Sequence, residues 1–304
     1  MSALLAILLL GAAAPALAHG DLGDVIGANA AWTYDPWVIV PLYASALLFL
    51  FGTVRLWRHA GHGRGMARWQ VACFWTGWTA LALALISPLH WLGERLFTAH
   101  MIEHGIIMAV AAPLLAVARP VGAFLWALPM RARRALGRLS QTRAVASVWR
   151  AATDPLIATL VHGAALWAWH LPGLYNTVLT SIVMHRLQHA SFVVTALLFW
   201  WSLFYGRAGL RGYGAAVFYL FVTTLHSGVL GLVIALSPKL LFPQQVAFAA
   251  DWGLTPREDQ QLAGLVMWVP MGFIYTAAAL YFAACWITGA RSQWQGARHA
   301  PLAG

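Results

Sequence analysis

Apolar runs recur along the chain, each closed by a short polar or arginine-bearing connection. They fall at roughly Trp37–Trp57, Gln70–Leu89, Ala99–Ala118, Pro155–His170, His185–Tyr205, Tyr213–Leu236 and Leu262–Ile287. A helix needs roughly 20 apolar residues to cross a hydrocarbon layer, and all but the short fourth run come close to that or exceed it. The pattern therefore predicts an all-α polytopic membrane protein with seven transmembrane helices. Pro113 and Pro270 fall inside spans, where neighbouring helices can satisfy the backbone groups that proline frees. A further apolar stretch, residues 1–18, ends in Ala16-Leu17-Ala18, a small-residue cleavage pattern that predicts a signal peptide. The competing view is an uncleaved first span, because no Lys or Arg precedes the run. The domain plan is then a signal peptide at 1–18, an exported tail at 19–36, a seven-helix domain at 37–288 and a cytoplasmic tail at 289–304. Cleavage after Ala18 would expose His19, whose amine and imidazole together suit Cu(II); a solvated histidine in a tail is the plainer reading.

Composition agrees: 61% of residues are hydrophobic and 9% charged, whereas about a quarter of a soluble domain is charged. The net charge of +10 raises the possibility of a nucleic-acid partner, but its distribution argues against one. With the N-terminus outside and the C-terminus inside, every basic residue except Arg95, Arg186, Lys239 and Arg257 lies on the inner side, as the positive-inside rule demands. The Arg131–Arg143 stretch reads as an inner connection resting on the anionic headgroups of the lipid bilayer. Cys73 and Cys285 are far apart and form no zinc-knuckle or thiol redox pattern.

Topology gives the polar side chains depths. The third run carries His100-Met-Ile-Glu-His104 and the fifth carries His185 and His189. Residues i and i+4 share a helix face, so each pair points one way, with Glu103 beside the first. Both runs start at the outer surface, which places all four imidazoles in their first two turns. His170 ends the fourth span at the same surface, and His90 sits just beyond the outer end of the second. His226 and His162 lie deeper. Ionisable groups in membrane segments normally face a protein interior or a watery cavity and mark function. Two His-x-x-x-His helices side by side can offer four nitrogens to a metal, and Met101, Met108, Met184 and Met267 would add soft thioethers suited to Cu(I). Ordinary packing is the commoner role of such methionines, and interfacial hydrogen bonding is the plain reading of the histidines. Glu103 beside His104 also suits a proton relay. Two sharper rivals remain: an inverted zinc peptidase using His100-x-x-Glu103-His104, and a bis-histidine haem held between facing helices. Thr255-Pro256-x-Glu258 is a helix-start signature, and Asp259 and Gln260 after it, with His226, are candidate outer partners that orient imidazole N–H groups. No nucleophile with its base and no phosphate-cradling loop is present, so an enzyme is not expected.

Three blocks carry a resemblance. They are His100-Met-x-x-His104 with Ala-Ala-Pro113-Leu-Leu, Trp169-His170-Leu-Pro-Gly-Leu-Tyr175 leading to His185-x-x-x-His189 and Phe-Trp-Trp201, and Gly253-Leu-Thr-Pro-Arg-Glu-Asp259 through Trp268-Val-Pro270. In this order, over about residues 35–290, the chain resembles the multi-span CtaG-type cytochrome c oxidase assembly factors. The resemblance implies a multi-pass protein of the bacterial inner membrane that helps assemble a haem–copper oxidase, with an oxidase subunit or another assembly factor as partner and copper as cargo. On that reading His100, His104, His185 and His189 hold the metal, His170 and Glu103 stand next, and Asp259 orients them. An amide is expected where Glu103 stands, so the carboxylate is a departure that alters the local charge.

Overall fold

The computed structural model describes residues 32–206 and 209–299. The expected signal peptide, His19 and most of the exported tail lie outside them. Among the described residues the secondary structure is helical, with no strand. Six helices are long and apolar enough to cross a membrane, and a shorter apolar helix matches the fourth expected span.

Helix α1, Pro36–Ala60, starts where Asp35 accepts the Trp37 N–H at 3.0 Å and Pro36 fills the first helical position. Helix α2, Arg68–Ile86, stops three residues before the expected Leu89. The reason is local: Ser87 Oγ accepts from Leu89 N at 3.2 Å and Pro88 begins a new short helix, α3, Pro88–Gly93. The third span is one rod made of α4, Phe97–Gly105, a π-helical turn at Ile106–Ala111, and α5, Ala112–Ala118. Helices α6 (Val121–Ala127), α7 (Met130–Ser140) and α8 (Arg143–Ala152) follow. The last two bury no residue and carry the arginine-rich stretch. Asp154 caps α9, Pro155–Trp169. Helix α10, Pro172–Thr180, leads to α11, Ile182–Tyr205, then α12, Gly209–Leu236, and α13, Pro256–His299. Helix α13 continues as one helix past the end of the expected span at Ile287, to His299.

The π turn has a traceable cause. Ala112 N donates to Ile107 O, five residues back, and in that register the next carbonyl, Met108 O, would need the N–H of Pro113, which proline lacks. Buried Trp200 of α11 supplies the donor instead, with Nε1 2.9 Å from Met108 O. Replacing Trp200 with Phe keeps the ring and strands that carbonyl. The expected cost is about 1–3 kcal/mol, read as a lowered thermal unfolding midpoint of the purified protein in detergent.

Helices α12 and α13 pack backbone against backbone. A Cβ on Gly231 would lie 2.7 Å from Gly264 O, and one on Gly264 would run into Gly231 O and, at 2.6 Å, Ala235 N. Small residues let membrane helices approach in this way. The core beneath is aromatic, with Phe97, Tyr175, Phe199, Trp200, Phe242 and Tyr275 all buried. At one end of the bundle α3 packs on α4, α10 on α11 and α13 on α4, so the ends of five helices gather around one polar cluster.

Candidate metal centre

The two expected pairs meet. On α4 the His100 and His104 ring centroids are 4.2 Å apart, and on α11 those of His185 and His189 are 4.6 Å apart. Across the interface His104 is 5.5 Å from His189, and His100 is 6.1 Å from His189 and 6.0 Å from His185. All four are buried. Helix α3 adds an imidazole that was not among the expected ligands: His90 lies 5.3 Å from His185 and 5.5 Å from His189. The break at Ser87-Pro88 turns it inward, and reading the second span through to Leu89 hid that turn.

Glu103 ties these elements together. It is fully buried, with Oε1 2.8 Å from His90 Nδ1 and 3.5 Å from His189 Nε2. When Nδ1–H of His90 donates to the carboxylate, Nε2 is left with its lone pair, the arrangement that raises the basicity of a metal-binding histidine. Burial by itself disfavours a charged His90, but the Glu103 carboxylate outweighs it and the imidazole titrates above its ordinary range. His170 is set the same way by backbone: its Nδ1 lies 2.7 Å from Leu166 O, and its ring is 6.2 Å from His104.

Gly93 is what lets Glu103 fit. A Cβ there would lie 3.0 Å from Glu103 Oε2 and 3.3 Å from His100 Cα. Gly93→Ala is therefore expected to displace the carboxylate from His90 while the helices persist. Competition with a Cu(I) chelator should show affinity falling about 10–100-fold, the usual cost of losing an outer partner of a ligand.

Several of the cluster's nitrogens lack hydrogen-bond partners. Nε2 of His100, both ring nitrogens of His104, and Nε2 of His170 are buried with none, and His189 Nε2 has only the long approach to Glu103. A neutral imidazole carries one N–H, and an unmet buried donor costs about 1–3 kcal/mol. Lone pairs converging from several helices fit a metal ion. His90, His185 and His189 can each place one ligand atom within 4.8 Å of the others, and so can His100, His104 and His189.

Other expected partners lie elsewhere. Both Asp259 carboxylate oxygens cap the start of α4, accepting from Phe97 N at 2.8 Å, Thr98 N at 2.9 Å and Thr98 Oγ1 at 2.7 Å. Asp259 thus positions the helix that carries His100 and His104, not an imidazole. Gln260 accepts from Leu241 N at 2.7 Å and donates to Ile234 O and Lys239 O, holding the segment after α12. His226 Nδ1 is 3.4 Å from Trp167 Nε1, with its ring against Gly163. Nearby His162 bonds to Thr195 Oγ1 at 3.1 Å and stacks on Phe199. Met101, Met108 and Met267 belong to the apolar core and Met184 packs on it. Two buried side chains beside the cluster were not expected: Tyr175, 5.7 Å from His100, and Gln245, whose Nε2 donates to Gly93 O at 2.8 Å.

No curated protein and no solved structure matches the chain. A protein family does: residues 47–289 match the profile described as cytochrome c oxidase caa3 assembly factor (Caa3_CtaG). That segment runs from α1 to within α13 and includes every histidine of the cluster, so the chain belongs to the cytochrome c oxidase caa3 assembly factor family.

Proposed function

We propose that this protein serves oxidase assembly by holding copper as cargo at the histidine cluster and passing it to an oxidase subunit or another assembly factor. We further propose a bacterial inner membrane setting with the cluster facing outward, N-terminus out and C-terminus in, so that cargo exchanges with exported domains. The observation that carries the reading is the set of buried ring nitrogens on His100, His104 and His170 that meet no hydrogen-bond partner. Imidazole suits copper, and the family supplies the setting.

The rival readings have less behind them. Ring centroids 4.2–6.1 Å apart, with further imidazoles on either side, crowd the space that a haem macrocycle would need. Glu103 is fully buried against His90, poorly placed to activate a water on a peptide. We therefore read the protein as a binding and assembly factor and not an enzyme.

Copper analysis of the purified protein tests this. Bound copper with nitrogen scattering in X-ray absorption, lost in the double variant His100→Ala/His185→Ala together with oxidase activity of the cells, is the expected result. Unchanged metal content and oxidase activity in that variant would overturn the reading. A Soret band would replace it with a haem protein, and zinc-dependent peptide cleavage lost on Glu103→Gln would replace it with a peptidase.

A further inference from the structure

The cluster holds more imidazoles than one ion uses, and they divide unevenly. Imidazole nitrogens bond a first-row ion such as zinc at about 2.0–2.1 Å, so ligands of one ion lie within about 4 Å of each other. Two sets approach that spacing, His90 with His185 and His189, and His100 with His104 and His189. They share His189 and nothing else. They also differ in depth. His90, His185 and His189 are 8%, 7% and 6% exposed, whereas His100 is 2% and His104 0% exposed. Within each pair the deeper member lies one turn further into its span: His104 below His100, His189 below His185.

We infer that the cluster is a two-station path for a single Cu(I) ion. His90, His185 and His189 form a rim station, His100, His104 and His189 form a deep station, and the ion changes stations while staying bound to His189. The inference rests on the copper reading above and deepens it. Since one neutral imidazole donates one lone pair, the shared His189 keeps the stations from filling together. Exchange then replaces two nitrogens while the third holds, so the ion is never released into apolar surroundings and no electron is transferred. Glu103, between His90 and His189, supplies a counter-charge on the way. Gly93, which admits that carboxylate, stands at the same junction.

The stations separate in a Cu(I) transfer experiment on the full-length protein in detergent, with bicinchoninate as acceptor. Wild type is expected to bind one Cu(I). In His100→Ala and His104→Ala the ion should stay at the rim and leave for the chelator about tenfold faster or more. In His90→Ala and His185→Ala it should reach the deep station slowly, with loading reduced about tenfold or more. His185→Ala repeats the rim test without removing the hydrogen-bond partner of Glu103. Two Cu(I) per wild-type chain, equal loss of copper in all four variants, or wild-type loading and release in both rim variants would each overturn the path while leaving copper binding intact. A wild-type protein that binds no Cu(I) would overturn the underlying reading and the path with it.

Discussion

His189→Ala is expected to abolish copper retention by the purified protein while leaving the helical fold in place. No other side chain belongs to both three-histidine sets, so its removal leaves each with two imidazoles. It also lies 3.5 Å from Glu103 Oε1 and 5.5 Å from both His90 and His104, at the centre of the cluster. The loss should exceed the roughly 10–100-fold that removal of an outer partner costs a metal site, because here a proposed ligand itself goes. The fold should tolerate the change, since alanine has the higher helix propensity and the imidazole Nε2 makes no hydrogen bond whose loss would strand another group. Chelator competition reads the affinity and circular dichroism reads the fold. Near-wild-type Cu(I) affinity in a folded His189→Ala protein would refute both the shared-ligand geometry and the copper site.

Such a prediction depends on features of very different visibility in the sequence. The spans were legible because hydrocarbon thickness fixes helix length, and the pairs His100/His104 and His185/His189 because a helix brings every fourth residue onto one face. The capped start of α13 was also legible. Thr255 Oγ1 accepts from Glu258 N at 3.2 Å and Glu258 Oε2 accepts from Thr255 N at 2.7 Å, the reciprocal pair that Thr-Pro-x-Glu announces. Ser87-Pro88 carried a comparable signal, since Ser before Pro starts helices, but hydropathy alone ran the second span across it and left His90 outside the site. Pro113 marked a disturbance in the third span without saying what form it takes. The donor that satisfies the carbonyl at the π turn comes from Trp200, a contact between residues far apart in the chain. The division of the histidines into two sets depends on ring orientations that no spacing encodes.

Asp259 shows most plainly where a local signal ends. Its type and position suggested a carboxylate among imidazoles, yet its partners are the first backbone N–H groups of α4, 161 residues away along the chain at Thr98. The first turn of a helix has N–H groups without intrahelical acceptors, and Leu96, at the cap position, has no side chain able to accept. The acceptor therefore comes from the start of α13, and the orientation of α4, with His100 and His104 upon it, depends on that bond. Asp259→Ala removes an acceptor, itself fully buried, from two backbone donors and the Thr98 hydroxyl. The expected loss is roughly 2–5 kcal/mol, because each stranded buried donor costs about 1–3 kcal/mol and the effects overlap. The unfolding midpoint in detergent should fall further than in Trp200→Phe. Copper affinity should fall as well, although Asp259 touches no imidazole, because the α4 histidines lose their register against α11. Asp259→Asn, whose amide oxygen can still accept one of the two N–H groups, should recover part of both losses. If Asp259→Ala lowers copper affinity with no change in stability, the residue acts on the metal directly and its assignment as the anchor of α4 fails.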